Sequence, residues 1–147
     1  MKVEKDFEEF VELLNKHEVK YVIVGAFSLA LYAEPRNTGD IDIFIENSDK
    51  NAIKVLIVLK EFGFSALDIN VNDLVSDNMV VQLGMSPVRI DIISGISGVS
   101  FIEAFETKVK HKFGKTFANF LSKEMLIKNK KATGRKKDLA DLEALKK

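Results

Sequence analysis

The 147-residue chain contains no cysteine, which excludes disulfides and thiolate metal sites. Proline is scarce, with two residues, while 46% of the chain is hydrophobic and 30% charged; that balance sets it apart from disordered, fibrous and repeat sequences. No uninterrupted apolar run approaches the roughly 20 residues that span a bilayer. The opening MKVEKDFEEF is too acidic and too broken for a signal peptide. No membrane partner and a cytoplasmic location are therefore the default expectations. The two histidines, His17 and His111, lie far apart and have no cysteine partners, which argues against a zinc site or a histidine nucleophile. P-loop, Gly-x-Ser-x-Gly and Gly-x-Gly-x-x-Gly patterns are also missing.

Net charge is zero, yet it is unevenly laid out. Residues 1–107 hold 9 Lys and Arg against 18 Asp and Glu, whereas residues 108–147 hold 13 against 4, so the two parts carry −9 and +9. An acidic metal-binding part beside a basic part suited to phosphates or nucleic acid would give this split. Complementary halves within one fold or across a dimer would give it too.

Hydrophobic spacing predicts a single α/β domain over 1–147, with a core over about 19–94 and a hairpin and helices over about 100–147. Phe7, Phe10, Val11, Leu13 and Leu14 recur at helical spacing, giving a helix over 4–17. Residues 19–24, VKYVIV, are β-branched and stop at Gly25, as a buried strand would. A short helix follows over 26–33, ending before Pro35. Asp40 to Glu46 alternates, with Ile41, Ile43 and Ile45 on one face and Asp40, Asp42, Phe44 and Glu46 on the other. A helix over 49–62 is closed by Gly63, and a helical turn is expected at 71–76. Strands over 79–83 and 88–93 flank a four-residue loop, Gly-Met-Ser-Pro. A short helix over 101–106, a second hairpin over 108–112 and 116–120, and helices over 122–131 and 135–146 complete the chain.

Asp40 and Asp42, two apart on a strand, share a face with their backbones about 6–7 Å apart. Alone, this fits the wet face of any half-solvated strand as readily as a metal site. Asp91 adds to it, because Val-Arg-Ile-Asp-Ile-Ile implies burial, where an unpaired carboxylate is costly. Either a salt bridge to Arg36 or Arg89, or a hard cation such as Mg²⁺, would answer that cost. Gly25, between a strand and a helix, would let a phosphate approach the backbone, and Ser28 could add a hydroxyl donor or serve as a small helix-packing residue.

The order strand, Gly25, short helix, Arg36-Asn-Thr-Gly-Asp-Ile-Asp, and a later isolated Asp91 resembles the nucleotidyltransferase superfamily typified by DNA polymerase β. The ending Lys130-Lys-Ala-Thr-Gly-Arg-Lys-Lys-Asp138-Leu-Ala-Asp141-Leu looks like that of small bacterial members near the abortive-infection toxin type. Ala26 departs from the pattern, standing where the family usually has glycine or serine, so a hydroxyl contact to phosphate is missing there. The resemblance implies a mixed β-sheet flanked by helices and closed by C-terminal helices. It implies two Mg²⁺ ions, or Mn²⁺, on Asp40, Asp42 and Asp91, and these carboxylates as the catalytic set. Gly25, Ala26, Ser28, Arg36, Thr38, Lys130, Arg135 and Lys137 are then the nucleotide contacts. Lys130, Arg135 and Lys137 also fit a solvated basic face, and Asp138 and Asp141, three apart on a helix, fit ion pairs with them better than a metal. The implied activity is transfer of a nucleoside monophosphate from an NTP to a hydroxyl of RNA, protein or a small molecule. A toxin–antitoxin or phage-defence setting follows from the C-terminal motif, with antibiotic modification next. An inactive nucleotide-binding or interaction module, supported by Ala26, and a structural dimerisation domain are the competing readings; a homodimer or an antitoxin is the partner expected.

Overall fold

A computed structural model describes residues 3–33, 39–64, 68–85 and 88–146. Its described elements run α1 (Lys5–Lys16), β1 (Tyr21–Val24), α2 (Gly25–Leu29), β2 (Asp40–Ile45), α3 (Asp49–Phe62), α4 (Val71–Val75), β3 (Val80–Met85), β4 (Val88–Ile93), α5 (Phe101–Glu106), β5 (Val109–Phe113), β6 (Thr116–Phe120), α6 (Lys123–Thr133) and α7 (Lys136–Leu145). The strands form one mixed sheet in the order β3-β4-β2-β1-β6-β5. β1 is antiparallel to β2 and parallel to β6, β2 is parallel to β4, and the hairpins β3–β4 and β5–β6 close the two edges. This mixed α/β sheet flanked by helices agrees with the nucleotidyltransferase-like fold expected from the sequence.

The two sheet faces divide the apolar residues. On one, Ile23, Ile41, Ile43 and Ile45 pack with Phe7, Phe10, Val11 and Leu14 of α1 and Val55, Val58 and Leu59 of α3. The apolar stripe of α1 is thus core. Val22, Val24 and Phe44 point the other way, against Ala104 of α5, Leu121, Met125 and Leu126 of α6, and Leu145 of α7. The buried rings add specific geometry: Phe44 meets Phe101 edge-on at 5.2 Å, and Phe27 meets Phe7 edge-on at 5.6 Å, the arrangement the ring quadrupole favours.

Local chemistry sets the element ends. Ser48 caps α3 by accepting from the Asn51 N–H, and Gly63 ends it in the left-handed region at φ +104°, a conformation glycine adopts without a Cβ penalty. Ser100 and Ser122 cap α5 and α6 in the same manner. One boundary departs from expectation. β3 runs through Gly84 and Met85, which pair with Arg89 and Val88, so the hairpin connection is shorter than a four-residue loop. Gly84 can stay in the ladder because it takes φ +81°, where a Cβ would lie 2.8 Å from the Val88 carbonyl. α2 is shorter than the predicted 26–33 helix, and Pro35 lies outside the described residues.

Candidate active site

Three carboxylates come together where the C-terminal end of β1 meets the N-terminal ends of β2 and β4. The parallel register of β2 and β4 places Asp42 directly opposite Asp91 and Asp40 opposite Arg89. All four side chains therefore share one sheet face, the one carrying Phe44 two residues further along β2. Phe44 is buried and Asp91 is 7% exposed, whereas Asp40 and Asp42 are half-buried. The face is thus polar at one end of the strands and core at the other.

Electrostatics separate the three acids. Arg89 donates from Nε to Asp91 Oδ1 at 2.9 Å, and from Nη2 to Asp91 Oδ2 at 3.0 Å and Asp40 Oδ2 at 2.8 Å. Its guanidinium fork is suited to that bidentate hold. The salt bridge foreseen as one answer to the burial of Asp91 is therefore present, with Arg89 as partner. Asp42 is raised from its ordinary value to about 6, first by burial and then by the neighbouring charges of Asp91 and Asp40. The presence of like charges beside a partly desolvated carboxyl is the usual cause of such a rise.

Gly25 adopts φ +69°, and a Cβ there would come within 2.2 Å of Asp42 Oδ2. In this structure the space left by the missing side chain is filled by the Asp42 carboxylate, a role the sequence reading did not anticipate. Ala26 follows it in the first turn of α2, half-buried. Ser28 is fully buried and donates its hydroxyl to the Gly25 carbonyl at 2.8 Å. Of the two readings of Ser28, hydroxyl donor or packed helix serine, the structure agrees with the second: Ser28 holds the turn that positions Gly25. Arg36 and Thr38 lie outside the described residues.

The C-terminal cations do not form a uniform solvated face. Lys130 is 8% exposed, with its ammonium 3.0 Å from Asp141 and 3.4 Å from Asp138. Arg135 clamps Asp138, donating from Nε at 2.7 Å, from Nη2 at 3.2 Å and from its own backbone N–H at 3.0 Å. These bonds hold the Asp138 carboxyl far below the usual carboxylate range. The expected pairing of Asp138 and Asp141 with cations is thus seen, and it ties α6 to α7. Lys137 is exposed on α7.

Among the described residues no three His, Cys, Asp or Glu side chains stand ready-made around a metal position. Asp42 and Asp91 converge, and the Arg89 guanidinium spans Asp91 and Asp40. The donor set nevertheless fits a hard divalent cation, since it is all oxygen and Asp42 is crowded by two like charges that a cation would offset. Arg89 is the site residue that sequence reasoning treated only as a counter-ion. Its spacing of two from Asp91 on one strand is the feature that could have placed it on this face.

No curated protein matches the chain. A family model described as a nucleotidyl transferase of unknown function, DUF2204, matches residues 3–147. With the strand, glycine, helix and paired-aspartate order in the sequence and the carboxylates in register on one sheet face, that match over nearly the whole length places this chain in the DUF2204 nucleotidyl transferase family.

Proposed function

We propose that the protein transfers a nucleoside monophosphate from an NTP to a hydroxyl group in a divalent-cation-dependent reaction. The observation that carries this is the register of Asp42 against Asp91, with Asp40 beside them and the Gly25 backbone against the Asp42 carboxylate. Asp40, Asp42 and Asp91 would hold Mg²⁺, which when bound supplies charge stabilisation for in-line displacement at phosphorus. The bond formed joins the acceptor oxygen to the α-phosphorus. The α,β-phosphoanhydride bond breaks and pyrophosphate leaves. The raised value of Asp42, about 6, belongs to the cation-free site and would fall when a cation offsets the neighbouring charges; in this reading the proton of the attacking hydroxyl passes to Asp91. The backbone N–H groups of the turn at Ala26 are the phosphate contacts of this reading, while the space at Gly25 is taken by the Asp42 carboxylate. Lys137 and Arg135, both exposed, are the C-terminal contacts of this reading. Lys130 serves it by fixing the α6–α7 angle.

Isothermal titration of each NTP with Mg²⁺ or Mn²⁺ tests the proposal. Micromolar to millimolar binding that requires the cation and is lost in Asp42→Asn is the expected result. Absence of cation-dependent binding for every NTP would sink it.

A second reading has its own observation. Arg89 already neutralises Asp91 and Asp40, and Ala26 offers no hydroxyl to a phosphate, as a module that binds nucleotide without turning it over would tolerate. NTP binding without pyrophosphate release across RNA, protein and small-hydroxyl acceptors would favour that module.

A further inference from the structure

The hairpin β5–β6 forms the sheet edge farthest from β3, and its two faces differ sharply. Phe113, Ala118 and Phe120 point into the core. Opposite them, Lys110 pairs in register with Asn119 and Lys112 with Phe117, so these four side chains alternate onto the outer face. Lys110 and Lys112 are exposed, and Phe117 is 62% exposed. Lys108 continues the same row, its ammonium 3.9 Å from the centre of the Phe105 ring. A hollow of about 460 Å³ lies beside them, lined among others by Glu18, Phe105, Lys108, Lys110, Phe117 and Asn119. Among the described residues, no carboxylate forms an ion pair with Lys108, Lys110 or Lys112.

A single exposed ring needs no cover by itself, so it is the company of Phe117 on the edge hairpin that points to a ligand. Here it sits opposite Lys112, beside cations repeated every second residue along the neighbouring strand. A membrane surface would call for a broader apolar area, and the other exposed apolar residue of the hairpin, Val109, sits on the opposite face. An acidic peptide would use the lysines but not a flat ring. Unpaired bases stack on exposed aromatics while a cationic groove follows the backbone, and a single strand uses both features at once.

We propose that the outer face of β5–β6 binds single-stranded nucleic acid, and that such a strand is the acceptor class. The second clause rests on the nucleotidyl-transfer reading; the first does not. Ile23 pairs with Phe120, so the Lys110, Lys112 and Phe117 face of the sheet is also the face of Asp42. Three strand spacings separate β5 from β2, about 14 Å across the sheet; α5 and α6 cover β1 between them, so a strand reaching Asp42 passes around those helices. In the transfer, the terminal hydroxyl oxygen of the strand bonds to the α-phosphorus, pyrophosphate departs and the hydroxyl proton passes to a site carboxylate.

Fluorescence anisotropy with a short labelled oligouridylate, read over a salt series, tests the surface. Wild type binds, and Lys110→Glu with Lys112→Glu lowers affinity at least tenfold. The neutral pair Lys110→Gln with Lys112→Gln flattens the salt slope by about 1.4, at about 0.7 for each phosphate no longer neutralised. Phe117→Ala lowers affinity at least about fivefold with the slope unchanged, as loss of one stacked base requires. Circular dichroism melts confirm that each variant is folded. No oligonucleotide binding at low salt, binding to phosphatidylserine vesicles or an acidic peptide in its place, or Phe117→Ala that binds like wild type would each overturn the proposal. NTP titration is run on the same variants and is expected to be unchanged. Oligonucleotide binding with no cation-dependent NTP binding leaves the surface standing and removes the acceptor assignment. NTP binding with no oligonucleotide binding removes both the surface and the acceptor assignment and leaves only the nucleotidyl-transfer reading. With both present, labelled nucleotide should appear on the oligouridylate and fall in the Lys110→Glu, Lys112→Glu protein.

Discussion

Gly25 and Asp42 are two halves of one arrangement, since the backbone of the first leaves the volume that the carboxylate of the second occupies. Gly25→Ala should cost about 1–3 kcal/mol from the positive φ and the clash combined. The loss should shrink in an Asp42→Ala background, where only the φ strain remains, which a double-mutant cycle of denaturant melts would measure. Asp42 also couples stability to pH. Its folded-state value is raised from 3.8 to about 6, so between those values the folded protein binds more protons than the unfolded chain. Stability therefore falls as pH rises through that window. In the absence of divalent cation, Asp42→Asn should gain about 1–2 kcal/mol at pH 7, after allowance for solvent screening of a partly exposed group, and almost nothing at pH 4. Thermal melts at the two pH values check this, and the same variant should lose transfer activity. The carboxylate pair was legible in the sequence through strand alternation. What Gly25 makes room for was not, because a glycine records only that a side chain is absent.

The joint between α6 and α7 depends on buried charge. Asp138 is fully buried, and Lys130 reaches both it and Asp141. Removing one partner of such a pair leaves an uncompensated buried charge. Asp138→Ala should therefore cost about 3 kcal/mol, and hydrogen exchange should show α7 opening first. Because the Asp138 carboxyl is held far below its ordinary range by Arg135, its contribution is present above the unfolded carboxylate value and is lost as pH falls below it. A wild-type and Asp138→Asn pair should converge in stability toward acid pH. Element existence was readable here from Gly134 and the spacing of apolar residues. The burial of Lys130 was not, since a lysine among lysines has no pattern that separates a buried ammonium from a solvated one.

At the scale of the molecule, the helices on each side cover a sheet whose two faces do different work. The α1 stripe is part of the core, not an exposed face: Phe10 is 1% exposed and meets Phe62 edge-on at 5.2 Å. Phe10→Ala should thus destabilise by about 3–4 kcal/mol, with an unchanged sedimentation coefficient for the folded protein; a shift to a smaller species would instead make α1 an interface, as a structural dimerisation domain would use it. Sequence periodicity determined the helices, the strands, the inward face of β2 and the pairing of Asp40 with Asp42, because local propensity and alternation of side chains are properties of contiguous residues. Only the tertiary structure decided that β2 and β4 lie parallel with Asp42 facing Asp91, that Arg89 spans the carboxylates, and that Lys130 is buried. Those depend on strand order and register, which are fixed by contacts among residues tens of positions apart and leave no period in the sequence.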